Sequence, residues 1–294
     1  MRFLTAIFTS WVIFAAGAFA QAGQPTDGGL GFQRAVTPVM SEITDFHNLL
    51  LIIITVITLF VLGLLLWVIF KYRASANPVA KKFSHNTTIE IIWTAVPVLI
   101  LVIIAIPSFR LLYAQDVLPD GTREYFGEVI DAPSVTIKAT GYQWYWGYEY
   151  ADIGIEEYTS NMIPDEDIDY DAGQLRLLSV DYPLVVPVGA TVRMQVTAAD
   201  VIHNWAMPSF GIKMDGIPGR LNETWFRADE EGTYFGQCSE LCGLNHAFMP
   251  IEVRVVSQAA FDAWAAAAAE DPYAANQILA EYETDRRATR LAAR

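Results

Sequence analysis

The side chains with the richest chemistry in this 294-residue chain lie in one twelve-residue segment toward its C-terminus. The segment runs Cys238-Ser-Glu-Leu-Cys242-Gly-Leu-Asn-His246-Ala-Phe-Met249 and holds two thiols, an imidazole and a thioether. A second imidazole, that of His203, lies 35 residues before the first cysteine, beside a β-rich run. Thiolate and thioether are soft ligands that favour copper, and imidazole also binds copper. The spacing therefore predicts a copper site.

This set of donors is compatible with several kinds of site. A mononuclear blue-copper site needs one Cys, two His and a weak axial Met, which leaves the second cysteine unexplained. Two thiolates four residues apart on one loop can both bridge a pair of copper ions, and each ion then takes one His and one weaker donor. The simpler alternatives are a Cys238–Cys242 disulfide, a zinc site of two Cys and two His, and histidines that are ordinary surface residues. Met249 is the donor that zinc does not require.

The charge of the chain excludes some partners and favours others. The formal net charge is −14, and 53% of the residues are hydrophobic, which is high for a soluble protein. Residues 114–257 contain 23 acidic and 8 basic side chains, an excess of 15 negative charges. Nucleic acid is not expected as a partner because phosphate binding needs a basic surface. An acidic surface attracts a basic protein, although it also serves solubility alone.

A secretory signal peptide is predicted for residues 1–20. The stretch has Arg2 near its start, continues through an apolar run and ends with Ala18-Phe19-Ala20, the small-x-small pattern of a cleavage site. An uncleaved membrane anchor is the alternative, but the stretch is short for a membrane span. In both cases the next segment, residues 21–45, is expected in the periplasm.

Two uncharged apolar runs predict a transmembrane helical hairpin over residues 46–112. Leu49–Phe70 has 22 residues and Ile91–Phe109 has 19, each about the length that crosses ~30 Å of hydrocarbon as a helix. Pro97 and Pro107 lie in the second run, where membrane helices tolerate kinks. The loop between the runs carries four basic residues, so the positive-inside rule places that loop in the cytoplasm and both ends in the periplasm.

Glu90 marks the cytoplasmic start of the second span. Thr87-Thr-Ile-Glu90 fits a capping box with Thr87 as the N-cap, and the carboxylate complements the helix dipole. An ionisable group at the membrane is also a candidate for a proton path. The two roles are compatible.

A β domain is predicted over residues 113–257. Runs rich in β-branched residues, punctuated by Gly and Pro, begin at Val135, Leu184 and Ile251, and several short strands of this kind are typical of a Greek-key sandwich or barrel. Residues 152–173 carry eight carboxylates and little periodicity, which favours a solvated loop. Residues 258–294 form an alanine-rich tail that is predicted to be helical, with Ser257 as its N-cap.

The copper segment resembles the dinuclear-copper (CuA) loop of cytochrome c oxidase subunit II, C-S-E-L-C-G-x-x-H-x-x-M, at each specified position. Asp200-Val-Ile-His203-x-Trp205 resembles the strand with that family's first ligand, and Asp215-x-Ile-Pro-Gly-Arg220 follows it. Gln143-Trp144-Tyr-Trp146-Gly-Tyr148-Glu149-Tyr150 resembles the family's aromatic segment. The resemblance covers residues 46–256 and implies a two-helix transmembrane hairpin followed by an all-β cupredoxin domain in the periplasm.

The resemblance also implies roles for individual residues. The ligands of the copper pair would be His203, Cys238, Cys242, His246 and Met249, together with the backbone carbonyl of Glu240. The Glu240 side chain would bind a magnesium ion at the interface with subunit I, although a solvent-facing loop carboxylate is the alternative. Trp144 would be the point of electron entry, and Glu90 the entrance of a proton-uptake channel.

The function implied by the resemblance is that of the electron-entry subunit of a bacterial cytochrome c oxidase. Such a subunit takes electrons from cytochrome c at the copper pair and passes them to haem in subunit I, where oxygen is reduced to water with proton pumping. The expected partners are subunits I and III, cytochrome c and the lipid of the inner membrane. Cytochrome c would dock on an acidic face around Trp144 and Glu149, with Asp181 and Asp200 nearby.

Two other functions fit parts of the sequence. A quinol oxidase subunit resembles this architecture but lacks the copper ligands, so the complete donor set argues against it. A membrane-tethered copper carrier must release its metal and would not need Trp144 or Glu149. Copper content, together with oxidation of cytochrome c in a complex, would separate the three.

Overall fold

The computed structural model describes residues 23–79 and 82–292, with side chains up to residue 284. The predicted signal peptide, residues 1–20, lies outside this part of the chain. The chain divides into two compact units, Glu42–Tyr113 and a larger unit formed by the residues up to Ser41 and from Ala114 onward. The smaller unit is helical and the larger unit contains the β domain.

Two long helices make up most of the smaller unit. Helix α1 spans Pro38–Lys71 and helix α2 spans Thr87–Asp116. Both are long and apolar enough to cross a membrane, because 20 residues at 1.5 Å each already span ~30 Å. Their apolar side chains are largely exposed, for example Phe60 at 64% and Leu101 at 65%, as expected of surfaces that face lipid. Both helices extend beyond the predicted apolar runs because their polar end turns continue the helix.

The cap of α2 differs from the prediction. Asn86, not Thr87, is the N-cap, since its side-chain oxygen accepts a hydrogen bond of 3.2 Å from the Ile89 N–H. Glu90 still closes the first turn, accepting a bond of 3.3 Å from the Asn86 N–H. Helix α2 begins one residue before the predicted start, and the amide side chain supplies an acceptor favoured at an N-cap.

The β domain consists of a small hairpin and two five-stranded sheets. The hairpin pairs β1 (Glu124–Tyr125) with β2 (Glu128–Val129). The other strands are β3 (Val135–Tyr142), β4 (Tyr145–Tyr150), β5 (Ile155–Ser160), β6 (Leu184–Pro187), β7 (Thr191–Ala198), β8 (His203–Met207), β9 (Ile212–Gly216), β10 (Asn222–Arg227), β11 (Gly232–Cys238) and β12 (Pro250–Val256). One sheet has the order β10-β7-β3-β4-β5 and the other β6-β12-β11-β8-β9. The predicted fold class is confirmed.

The core of the β domain is aromatic and β-branched. In some strands buried side chains alternate with more exposed ones, as in β7, where Val192, Met194 and Val196 are fully buried. Trp146 and Trp205 are also fully buried. These large rings contribute much of the buried apolar area. Their packing holds the neighbouring strand ends in place.

Residues 152–173 contain more regular structure than was predicted. The interpretation as a solvated loop is wrong for Ile155–Ser160, which forms the edge strand β5 and pairs with β4. Ile155, Tyr158 and Ser160 point inward and are buried, while Glu156 and Glu157 face outward. The outward carboxylates hid the strand because they dominate the composition of a short segment.

The predicted helical tail forms two helices, α3 (Gln258–Ala268) and α4 (Asn276–Ala292). Ser257 is the N-cap of α3, as predicted, and accepts a hydrogen bond from the Ala260 N–H at 3.3 Å. Trp264 on α3 is 2% exposed and packs against Tyr150, with ring centroids 5.3 Å apart. The tail therefore extends the core of the β domain.

The segment before α1 is also bound to the β domain. The Gly23 carbonyl accepts a hydrogen bond of 2.7 Å from the Phe235 N–H. Arg34 forms a bidentate ion pair with Glu230, with Nη1–Oε1 and Nη2–Oε2 distances of 2.7 and 2.5 Å. Bidentate pairs of this kind fix the relative orientation of the two side chains as well as contributing electrostatic attraction.

Candidate metal centre

Strand pairing brings the predicted metal-binding residues together. His203 is the first residue of β8 and Cys238 is the last residue of β11. The two strands are antiparallel neighbours, with Cys238 opposite Trp205. The loop from β11 to β12 then carries Cys242, His246 and Met249. One loop and the ends of two paired strands thus supply all the predicted donor side chains.

The donor atoms surround the two thiols. The Sγ atoms of Cys238 and Cys242 are 3.9 Å apart. His203 Nδ1 lies 3.9 Å from Cys238 Sγ, and His246 Nδ1 lies 3.5 Å from Cys242 Sγ. Met249 Sδ is also 3.5 Å from Cys242 Sγ. The backbone oxygen of Glu240, which lies between the two cysteines in the sequence, is 3.4 Å from Cys238 Sγ.

The simpler alternatives for these residues do not fit this geometry. Both cysteines are free, and a sulfur–sulfur distance of 3.9 Å is far beyond the ~2.05 Å of a disulfide. His203 is completely buried, so it is not a surface histidine. Met249 is 1% exposed and its sulfur faces the thiols. A thioether in contact with a thiol of the cluster favours copper over zinc.

The two thiols differ in acidity. Burial raises the pKa of Cys238, but hydrogen bonds from the His203 ring and the backbone outweigh it and lower the pKa to about 6. Burial and the neighbouring Cys238 together raise the pKa of Cys242 to about 12. Without metal, Cys238 therefore carries the thiolate at neutral pH while Cys242 holds its proton. Metal binding must displace that proton.

Asp200 orients the imidazole of His203. Its Oδ1 lies 2.9 Å from His203 Nε2, so the ring presents Nδ1 to the thiols. Asp200 also accepts hydrogen bonds from the backbone N–H of Val201 and of Gln143, both at 2.7 Å. Burial raises the pKa of Asp200, but these hydrogen bonds outweigh it and lower the pKa. A carboxylate on the far nitrogen of a ligand histidine fixes its tautomer and direction.

The turn between β3 and β4 lies directly against the metal loop. Trp144 Nε1 donates a hydrogen bond of 3.3 Å to the Cys242 carbonyl, and Gln143 Nε2 donates one of 2.7 Å to the same oxygen. Gly243 has a φ of +121°, and a methyl group there would lie 3.1 Å from both side chains. The predicted electron-entry residue is thus in contact with a predicted ligand residue through one hydrogen bond.

The other predicted site residues have clear positions. Glu149 forms an ion pair with Lys138 at 2.5 Å. The Asp181 carboxylate accepts hydrogen bonds from the Asn161 and Tyr182 N–H groups. The Glu240 side chain is exposed, and Glu90 lies in the first turn of α2. Several acidic groups that were predicted to attract a partner therefore also hold the local structure.

Sequence reasoning missed two residues beside the centre. Gly141 on β3 lies under His203, and a methyl group there would come within 2.8 Å of the imidazole ring. Gln143 bridges Asp200 and Cys242. Gln143 begins the aromatic segment and Gly141 lies two residues before it, which was the available signal, but their contacts are with residues more than 50 positions away.

Comparisons with known proteins agree with this arrangement. The family model described as "Cytochrome C oxidase subunit II, periplasmic domain" matches residues 135–256, and "Cytochrome C oxidase subunit II, transmembrane domain" matches residues 25–111. A "Probable cytochrome c oxidase subunit 2" from Rickettsia bellii is 48% identical over 266 residues, which cover 90% of this chain and 94% of that protein. The chain belongs to the cytochrome c oxidase subunit II family.

Two further relatives extend the comparison. "Cytochrome c oxidase subunit 2" from Cereibacter sphaeroides is 44% identical over 272 residues, 87% of this chain and 86% of that protein. The crystal structure of the periplasmic domain of cytochrome oxidase subunit II from Bradyrhizobium japonicum is 53% identical, with a TM-score of 0.44, over 48% of this chain and 97% of that one.

Membership of this family has direct consequences. This chain is a subunit of cytochrome c oxidase, an oxidoreductase. It is a membrane protein with a C-terminal periplasmic domain, it associates with the oxidase core subunits and cytochrome c, and it carries a copper centre. The cluster of His203, Cys238 and Cys242, whose ligand atoms all lie within 4.8 Å of one another, fits that metal.

Proposed function

We propose that this chain accepts single electrons from cytochrome c at a dinuclear copper centre and passes them to haem in subunit I. Oxygen is reduced to water there, coupled to proton pumping. The observation that carries the proposal is the pair of free thiols 3.9 Å apart, each next to one imidazole. That arrangement matches two metal ions better than one, because a mononuclear blue-copper site uses one thiolate.

Different residues would supply the stronger and the weaker donors to the metal. Cys238 and Cys242 lie in the middle of the cluster and would supply the two thiolates that hold the copper ions. His203 and His246 would each bind one ion, with Met249 and the Glu240 carbonyl as the weaker donors. The bound copper pair supplies a one-electron redox centre. The protein keeps that centre dry, since the two sulfurs and His203 are almost completely buried.

Trp144 is the proposed point of electron entry. Its ring is half-buried, so one part is open to a partner while Nε1 reaches the Cys242 carbonyl. A partner in contact with the indole would be joined to the copper loop by one ring and one hydrogen bond. The tryptophan would thereby connect the surface and the metal.

An acidic surface would guide cytochrome c to Trp144. Residues 114–257 carry an excess of 15 negative charges. The side chain of Asp200 is 33% exposed and accepts a hydrogen bond from the backbone N–H of Gln143, the residue directly before Trp144. Glu149 is paired with Lys138, so we assign it a smaller share of the attraction. The reaction with a basic cytochrome c should slow with rising salt because exposed charges are screened beyond about 8 Å at physiological ionic strength.

Two more roles complete the proposal. The exposed Glu240 side chain would bind magnesium at the interface with subunit I, since a carboxylate is a ligand that Mg²⁺ accepts. Glu90 would admit protons at the cytoplasmic end of α2. The chain would lie in the bacterial inner membrane with subunits I and III, after removal of residues 1–20.

Copper content and the paramagnetic spectrum of the purified oxidase test the copper assignment. The complex should contain two more copper ions than the complex with the double variant Cys238→Ser, Cys242→Ser, and should show hyperfine structure from two copper nuclei. A difference of one copper ion, or a Cys238–Cys242 disulfide in the active complex, would contradict it. Cytochrome c should reduce the wild-type complex and fail to reduce the double variant. Reduction by quinol without copper would favour a quinol oxidase instead.

A further inference from the structure

Gln143 connects three segments that are far apart in the sequence. It lies in the turn between β3 and β4, 57 residues before Asp200 and 99 residues before Cys242. Its backbone N–H donates to Asp200 Oδ2 at 2.7 Å. Its side-chain Nε2 donates to the Cys242 carbonyl at 2.7 Å. Both lengths are at the short end of the range for N–H···O hydrogen bonds.

Each of these two hydrogen-bond partners belongs to, or holds in place, a different proposed metal ligand. Asp200 holds the Nε2 side of the His203 imidazole, while the carbonyl belongs to Cys242 itself. The first ligand comes from β8 and the second from the β11–β12 loop. Gln143 therefore ties one ligand from each source to a single residue.

Gln143 itself is exposed, but close contacts at Gly243 and Gly141 leave the three segments little freedom. A methyl group at Gly243, directly after Cys242, would lie 3.1 Å from Gln143 Nε2. A methyl group at Gly141 would overlap the His203 ring at 2.8 Å. The Gly141 carbonyl also accepts a hydrogen bond of 3.0 Å from the Ala199 N–H, just before Asp200. The turn that carries Trp144 is thus fitted against both ligand segments.

We propose that Gln143 is a positioning residue that fixes Cys242 and His203 relative to each other and to Trp144. It touches neither metal nor substrate through its side chain; it acts through the Cys242 carbonyl and through Asp200. This inference rests on the proposed copper-centred function but concerns an arrangement that the protein makes by itself. The amide side chain is suited to the task because it donates a hydrogen bond without adding charge next to two thiols.

The substitution Gln143→Leu removes the donor and keeps a side chain of similar size. Gln143→Glu keeps the shape and points a carboxylate oxygen, which only accepts, at the Cys242 carbonyl. Gln237→Leu is the matched control, because Gln237 is exposed and directly precedes Cys238, and its side chain makes no hydrogen bond within the part of the chain that the structure describes.

Hydrogen–deuterium exchange of the full-length, copper-free chain provides a measurement independent of metal. In Gln143→Leu, the peptide covering residues 239–248 should exchange about fivefold faster than in wild type, the factor expected for losing one hydrogen bond. In Gln143→Glu the same peptide should exchange at least as fast as in Gln143→Leu, and in Gln237→Leu it should exchange at the wild-type rate. Unchanged exchange in both Gln143 variants would overturn the proposal.

The purified oxidase provides the second measurement. Both Gln143 variants should retain copper but show altered copper hyperfine structure and a shifted reduction potential, measured without cytochrome c. If only the dependence on cytochrome c concentration changes, Gln143 is a docking contact and the proposal is wrong. Failure of both variants to assemble, while Gln237→Leu assembles, would also contradict a role limited to positioning. A wild-type complex without a copper pair would refute the proposed function, yet the exchange measurement would still report on Gln143.

Discussion

The indole nitrogen of Trp144 lies 3.3 Å from the carbonyl oxygen of Cys242, although the two residues are 98 positions apart in the chain. This contact joins the half-buried ring of one loop to the backbone of a proposed copper ligand. A partner that contacts the ring is therefore close to the metal centre without touching a ligand side chain. The arrangement would separate the surface proposed to receive an electron from the residues proposed to hold the metal.

Trp144→Phe and Trp144→Ala separate the two contributions of that ring. Phe keeps an aromatic surface but loses the N–H donor, whereas Ala loses both. Reduction of the oxidase by cytochrome c should be slower in Phe and slowest in Ala, with copper content unchanged because no ligand is altered. Stopped-flow mixing measures this rate. Wild-type rates in both variants, at low and at high salt, would show that electrons enter elsewhere.

Gly141→Ala tests how closely the protein backbone packs against a proposed copper ligand, His203. The added methyl group would lie 2.8 Å from the His203 ring, a distance that real contacts do not show, so the imidazole must move. The variant should lose part of its copper or show an altered copper spectrum, while the β domain remains folded by circular dichroism. Gly31→Ala is the control, because a methyl group at Gly31 meets nothing within 4 Å. An unchanged spectrum in Gly141→Ala would mean that the site tolerates displacement of His203.

The donors and the spans could be predicted from sequence because each rests on local spacing. Cys238, Cys242, His246 and Met249 share one twelve-residue segment, so their order in the chain already implies their proximity. The two spans follow from hydropathy over about 20 residues. Tertiary packing, by contrast, decided what was missed. Strand β5 is recognisable only by its pairing with β4, since its exposed carboxylates mask the alternation.

The bridge through Gln143 could not be predicted for a related reason. It joins three segments through one backbone N–H and one side-chain amide, and a glutamine within an aromatic motif carries no signature of such contacts. The cap of α2 was misplaced by one residue because Asn86 and Thr87 are both good N-caps. Only the hydrogen bond to Ile89 distinguishes them.

Met249→Leu should retain copper and change its reduction potential. Met249 is 1% exposed, and a leucine of similar volume fills the same space at small cost. The thioether is the weak donor of the proposed ligand set, so its loss should affect the potential more than the affinity. Redox titration of the purified oxidase measures the shift. Met194→Leu makes the same exchange at a fully buried position on β7 and should leave the potential at its wild-type value; a shift there as large as at Met249 would assign the effect to packing.

The copper-free protein should react at one thiol only. The pKa of Cys238 is lowered to about 6, so its thiolate forms as pH rises through that value and alkylation should accelerate up to about pH 7 and then level off. The pKa of Cys242 is raised to about 12, so it should remain protonated and unreactive throughout this range. Mass spectrometry of the alkylated peptide measures both sites, and copper should protect both. Equal modification of the two thiols at pH 7 would contradict the assigned asymmetry.

Glu90 has a structural role that can be separated from a role in proton uptake. Its Oε1 accepts the Asn86 N–H at 3.3 Å, while the Asn86 side chain caps the Ile89 N–H. Glu90→Gln keeps an oxygen that can accept that hydrogen bond but cannot release a proton. Asn86→Ala removes the side-chain cap, at a cost of about 1 kcal/mol, and leaves the carboxylate in place.

The two variants should therefore differ in activity and not in assembly. If Glu90 admits protons, Glu90→Gln should assemble with full copper but turn over slowly, with reduction of the oxygen-binding centre as the slow step. Asn86→Ala should turn over at the wild-type rate, since the Glu90 carboxylate remains in place in this variant. Steady-state oxygen consumption and the rate of haem reduction measure these outcomes. Normal turnover of Glu90→Gln would leave the cap as the sole function of this glutamate, and slow turnover of Asn86→Ala alone would make the geometry of the first turn of α2 the controlling factor.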